Sequence, residues 1–162
     1  MKIKRGDFLF FESVERFPDN LWDFFIKIAS PKATHCGVAV SETHMIHADL
    51  RGVHVAPIPK QKINVKRLNE EIDYEIIIRY MTEQKGEPYT VFGAVVAGVL
   101  SLFNLRRVVL LNQSIWFCSK VMGAPLVIYN MADEFRNVSP SDILPQDLLT
   151  AKIYKKEFTI YA

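Results

Sequence analysis

Cysteine is scarce in this chain: Cys36 and Cys118 are the only two among 162 residues. Two thiols cannot staple a small scaffold as several bridges do, so stability has to come from a packed core. Neither Cys-x-x-Cys nor His-Glu-x-x-His occurs, which removes the usual zinc signatures. His35, His47 and Cys118 are still able to bind zinc on side-chain chemistry alone. A Gly-x-Ser-x-Gly elbow, a Gly-rich phosphate loop and a dinucleotide fingerprint are also missing, so no cofactor is expected. Charge of one sign is lacking too, since 20 basic and 18 acidic residues leave a net +2. Without a basic stripe, a nucleic-acid partner is not expected. The densest basic stretch, Lys60 to Arg67, is followed by Glu70, Glu71, Asp73 and Glu75 and reads as a solvated connection between strands. Finally, Val91–Leu105 is uncharged but spans only about 15 residues, short of the ~20 needed to cross a bilayer. It reads as a buried helix rather than an interfacial one, and Arg106-Arg107 suit either setting.

What is present describes one domain over residues 1–162. The hydrophobic share of 49% and charged share of 23% are those of an ordinary globular protein. Met1 to Asp7 leads straight into a short apolar run rather than a secretory signal, so a cytoplasmic protein with reduced thiols is expected. Gly6-Asp7 opens a buried strand over Phe8–Phe11. Asp19–Ala29 follows as a capped helix, ended by Pro31. Three apolar runs, Cys36–Val40, Met45–Leu50 and Val53–Ile58, are separated by polar or glycine turns and form an antiparallel meander. The β-branched run Tyr74–Tyr80 reads as a central strand. Gly86-Glu87-Pro88-Tyr89 turns towards Thr90 and the helix Val91–Leu105. A second helix, Ile115–Met122, carries Cys118 near its start and ends at Gly123 and Pro125. Met131–Phe135 is a short helical turn, Ser139-Pro140-Ser141-Asp142 a cap, and Lys152–Tyr161 a closing strand. The layout is α+β, an antiparallel sheet or half-barrel packed against helices.

Cys118 and His35 are the residues with chemical promise. A thiol near a helix start beside an imidazole loses its proton more readily, and distant Cys and His residues can meet in a fold. The free backbone N–H of Cys118 and the amide of Gln113 are candidate oxyanion donors. Gly37 leaves space beside the imidazole for an approaching helix end. On a strand His35 and Cys36 point to opposite faces, so a Cys118–His35 dyad turns Cys36 away, and the dyad and a Cys36–Cys118 disulfide are nearly exclusive readings. A third residue should hold the other nitrogen of His35. His47 and Asp49 share its parity and reach its face through an odd-length hairpin loop, and charge favours Asp49. His44 and His54 fall on the turn and an opposing face.

Taken together, Gly6-Asp7-Phe8-Leu9-Phe10, His35-Cys36-Gly37-Val38-Ala39-Val40, Met45-Ile46-His47-Ala48, Gly52-Val53, Gly86-Glu87-Pro88-Tyr89, Phe117-Cys118-Ser119-Lys120-Val121 and Ser139 to Leu144 resemble a known family in a consistent order. That family is the circularly permuted branch of the NlpC-like papain-fold superfamily. It includes YiiX-like bacterial proteins, lecithin:retinol acyltransferase-like enzymes, and poxvirus and phage relatives. The resemblance covers nearly the whole chain and implies a permuted papain-like core. It implies Cys118 as nucleophile, His35 as base and His47 as the third catalytic residue, favouring His47 over Asp49. Lys120 departs from the acidic residue often found after Cys-Ser, and Cys36 from the usual residue after the histidine. The expected function is a cysteine hydrolase that cleaves a peptide or isopeptide amide through a thioester. The alternatives are a lipid acyl hydrolase or acyltransferase, and a catalytically silent binding or virion-structural module. A peptide or acyl group is the expected partner, a membrane surface is not favoured, and a host cell or virion is the setting if the chain is viral.

Overall fold

The computed structural model describes residues 2–12, 32–87, 118–140 and 143–161. Among them an open, six-stranded antiparallel sheet packs with three α-helices, an α+β architecture. The strands are β1 (Phe8–Phe11), β2 (His35–Ala39), β3 (His44–Asp49), β4 (Gly52–Pro57), β5 (Lys62–Leu68) and β6 (Tyr154–Tyr161). They lie side by side in the order β4-β3-β2-β1-β5-β6. The helices are α1 (Tyr74–Glu83), α2 (Cys118–Ile128) and α3 (Pro145–Thr150), with a 3₁₀ turn at Asp133–Phe135. No helix among the described residues is long and apolar enough to cross a membrane.

Both faces of the sheet are apolar around β1, which is why all four residues of Phe8–Phe11 are buried. Phe8, Phe10, Cys36, Val38, Ile46 and Ala48 face the helices and meet Ile77, Met81, Val121, Met122 and Leu126. Leu9, Phe11, Ala39, Met45, Ile63 and Val65 form a second cluster on the opposite face. Each fully buried side chain of this size contributes about 1.5–3 kcal/mol.

The meander over β2–β4, the turn at Asp133–Phe135 and the closing strand match the sequence reading. Three other segments differ. Tyr74–Tyr80, expected as a strand, lies in α1. The Asp73 carboxylate accepts from the Glu75 N–H at 2.9 Å, and Ile77, Ile78 and Met81 bury one helical face. A cap and a matching apolar stripe outweigh the weak β preference of an isoleucine run. Lys60–Arg67, expected as a solvated connection, contributes most of β5. Its alternate residues Ile63 and Val65 are buried, while Lys66 and Arg67 pair with Glu157 and Asp7. Helix α2 runs through Gly123 and Pro125 instead of ending there. A proline inside a helix costs about 3 kcal/mol, and burial of Val121, Met122, Ala124 and Leu126 offsets it. Gly123 lets α2 lie close to Ile143, since a Cβ there would meet Ile143 Cδ1 at 2.6 Å and oblige that side chain to shift. The helix stops in a Schellman motif, with Asn130 at φ 50° and Met131 N–H donating to Leu126 O at 2.9 Å.

Helix α3 opens at Pro145, and the Leu144 N–H donates to the Asp147 carboxylate at 2.9 Å. Of the expected cap, Ser141 and Asp142 lie outside the described residues. So do the expected helices over Asp19–Ala29 and Val91–Leu105, together with Arg106, Arg107, Gln113, Trp116 and Phe117.

Candidate active site

His35 opens β2, and its neighbours on the sheet are set by hairpin length. Val40 N–H donates to His44 O at 2.9 Å, so the loop between these paired residues is Ser41-Glu42-Thr43, odd in length. Gly37 then stands opposite His47, and His35, His47 and Asp49 share one face. The next hairpin has two loop residues, Leu50 and Arg51, between paired Asp49 and Gly52. An even loop inverts parity, so His54 stands directly opposite His47. The expectation that His54 occupies an opposing face is therefore wrong. The length of the loop, legible in the sequence, carried the signal. His44 lies exposed at the start of β3, its Nδ1 in contact with Thr43 Oγ1 at 2.9 Å.

Three imidazoles form a chain across this face. His35 Nε2 lies 2.7 Å from His47 Nδ1, with the two rings nearly perpendicular at 80°. The His47 and His54 ring centroids are 4.7 Å apart. Asp49 closes the cluster, its Oδ2 3.9 Å from His47 Nε2 and its Oδ1 3.6 Å from His54 Nδ1. The Arg51 guanidinium donates to Asp49 Oδ2 at 2.7 Å. His35 and His47 are buried, at 7% and 6% exposure. Burial, then the neighbouring His35, pushes the His47 pKa down to about 3, so His47 is neutral at physiological pH. Gly37 makes room for this chain rather than for a helix end, because a Cβ there would lie 3.0 Å from His47 Cβ. Between His47 and Asp49, it is His47 that touches His35; Asp49 stands one residue farther out.

Cys118 opens the described part of α2, with its thiol buried against the start of β2. It interacts with both Cys36 and His35. Hydrogen bonding from Cys36, above all, outweighs the opposing effect of burial and, together with the nearby His35 imidazole, holds the thiol well below the ordinary thiol range. Burial pushes Cys36 well above that range. The expectation that Cys36 turns away from Cys118 is thus corrected. At the end of a strand the thiol reaches the side chain and backbone of Cys36 as well as the ring of His35. Both cysteines are free thiols. Behind them, Ser119 Oγ donates to Ile143 O at 2.6 Å and anchors the first turn of α2. Lys120 is buried, which lowers its pKa.

A cleft of about 660 Å³ opens on the histidine face. Phe11, His35, Met45, His47 and Asp49 line one side, and Leu50, Arg51 and the segment Ala56–Gln61 complete it. Cys118 is not part of that lining. Histidine, carboxylate and thiol chemistry therefore meet here, with an apolar cleft on one side of the imidazole chain and the thiol outside the cleft lining. Compared with known proteins, the chain matches no family model and no curated protein.

Proposed function

We propose that this chain is a cysteine-dependent hydrolase that cleaves an amide bond, in a peptide or isopeptide, through a thioester. The observation that carries the reading is the convergence of Cys118, His35 and His47. A thiol held below its ordinary range meets an imidazole whose Nε2 is engaged 2.7 Å from a second, neutral imidazole. With Nε2 taken, Nδ1 of His35 is the nitrogen left for the thiol. It accepts the Cys118 proton, and the thiolate sulfur attacks the carbonyl carbon. The C–N bond breaks as His35 returns that proton to the departing amine. Water then gives a proton to His35 while its oxygen attacks the thioester, releasing the acid and restoring the thiolate. His47 acts as a positioning residue, fixing the ring and tautomer of His35. The permuted papain-like core named by the sequence resemblance belongs to this proposal. An acyl ester or lipid acyl substrate uses the same steps with an alcohol leaving group.

A second reading, a binding module that retains the site residues, is favoured by the cleft lining, which takes in His35 and His47 but not Cys118. Turnover of a peptide-amide panel separates the two. Cys118→Ala and His35→Ala should each abolish hydrolysis while the circular dichroism spectrum is unchanged. Iodoacetamide should label Cys118, but not Cys36, at mildly acidic pH, and His35→Ala should reduce that selectivity. Turnover surviving in Cys118→Ala overturns the hydrolase, and a Cys118 no more reactive than Cys36 puts the binding module ahead.

A further inference from the structure

The hydrolase reading uses one nitrogen of His47 and leaves His54 and Asp49 without a task. We propose that His47, Asp49 and His54 form a binding site for a divalent transition-metal ion, with zinc as the best chemical match. Each of the three brings a ligand atom within 4.8 Å of the other two. Two independent details point to a ligand. His47 Nε2 and His54 Nε2 are both buried and have no hydrogen-bond partner, and the His47 side chain is only 8% exposed. A buried imidazole nitrogen without a partner is costly unless something coordinates it. His54 also shows the usual arrangement of a ligating histidine. Its Nδ1 sits 2.9 Å from Gly52 O, which can only accept, so Nδ1 carries a proton and Nε2 is the nitrogen left for an ion.

Two imidazoles and one carboxylate suit zinc and its transition-metal neighbours. Calcium and magnesium require mainly oxygen ligands. Three protein ligands leave a tetrahedral ion one open position, and His47 and Asp49 both line the 660 Å³ cleft from which water or a substrate group would fill it. Arg51 is the competitor, since its guanidinium holds Asp49. Its side chain is 63% exposed and free to swing outward, releasing a carboxylate oxygen.

The test is calorimetric titration of the full chain with zinc chloride, followed by the visible spectrum of the cobalt-substituted protein. One ion should bind per chain, with a tetrahedral cobalt spectrum and no thiolate-to-metal charge-transfer band. His54→Ala should weaken binding by about tenfold or more, and Arg51→Ala should tighten it. Absence of saturable binding in both the wild type and Arg51→Ala overturns the site. So does undiminished affinity in His54→Ala, or a thiolate band placing the ion on Cys36 and Cys118. Because binding is read without substrate, a protein that binds zinc but whose metal-free form hydrolyses nothing would sink the enzyme reading and leave the metal site standing.

Discussion

Burial alone makes a thiol harder to ionise, because the charged form loses its hydration. Cys118 runs against that rule, since a neighbouring thiol and an imidazole both favour its thiolate. Its pKa lies below the ordinary thiol value, so as pH falls Cys118 keeps its charge after an ordinary cysteine has taken up a proton. The alkylation rate should therefore persist into mildly acidic solution. The hydrogen bond from Cys36 is the largest of these influences, which gives a prediction separate from the role of His35. Cys36→Ala should shift the Cys118 alkylation profile upward in pH, while Cys36→Ser, which keeps a donor, should leave it low. An unchanged profile in Cys36→Ala would show that the thiol–thiol hydrogen bond does not set Cys118 ionisation.

The β3–β4 hairpin determines which residues meet the imidazole chain. Gly52 takes φ +87°, and a Cβ there would collide with the backbone carbonyl of Glu87. The Val53 N–H donates to that same carbonyl at 3.2 Å. Gly86 also has a positive φ, of +84°, but nothing lies within 4 Å of a Cβ built on it. Gly86→Ala should therefore cost only backbone strain, about 1 kcal/mol. Gly52→Ala adds a backbone collision and should cost about 2 kcal/mol or more. Urea denaturation of the two variants measures the difference, and equal midpoints would contradict the packing of Glu87 on the hairpin. The elements themselves were unevenly legible. The β2–β4 meander followed from apolar alternation, whereas α1 was hidden because Ile76, Ile77 and Ile78 favour strand locally and only the Asp73 cap and the burial of one face select helix. β5 was hidden because its lysines and arginine suggested solvent, while all three are paired with carboxylates, Lys62 with Glu12, Lys66 with Glu157 and Arg67 with Asp7.

Across the whole molecule, one ion pair joins the start of β1 to the far half of the sheet. Asp7 is 1% exposed and receives Arg67 Nε and a second guanidinium N–H, each at 2.7 Å, along with the Lys4 N–H at 2.8 Å. Arg67 also lies over the Phe158 ring, 5.6 Å from its centroid, and donates to Lys2 O at 3.3 Å. It thus ties the N-terminal segment, β5 and β6 together. Arg67→Ala leaves a buried carboxylate without its partner and should destabilise the fold by about 3 kcal/mol. Combining it with Asp7→Asn should cost less than the two single changes added together. Additive losses in urea denaturation would show that the pair is not coupled.

Local chemistry was readable from the chain. Cys118 and His35 stood out as a potential nucleophile and base, and strand parity put His47 and Asp49 within reach of one face. Loop length decided the rest of that face, because an odd loop before β3 and an even one before β4 bring His54 as well as His47 towards His35. Cys36 was excluded by alternation, a rule that holds along a strand but says nothing about a group approaching the strand from its end. Whether a charged side chain meets water or a buried partner, and whether an isoleucine run bends into a helix, depends on surfaces supplied by distant parts of the chain. Those surfaces exist only once the sheet has formed, and they placed Asp7 against Arg67, Ile77 against the sheet, and two thiols beside one imidazole.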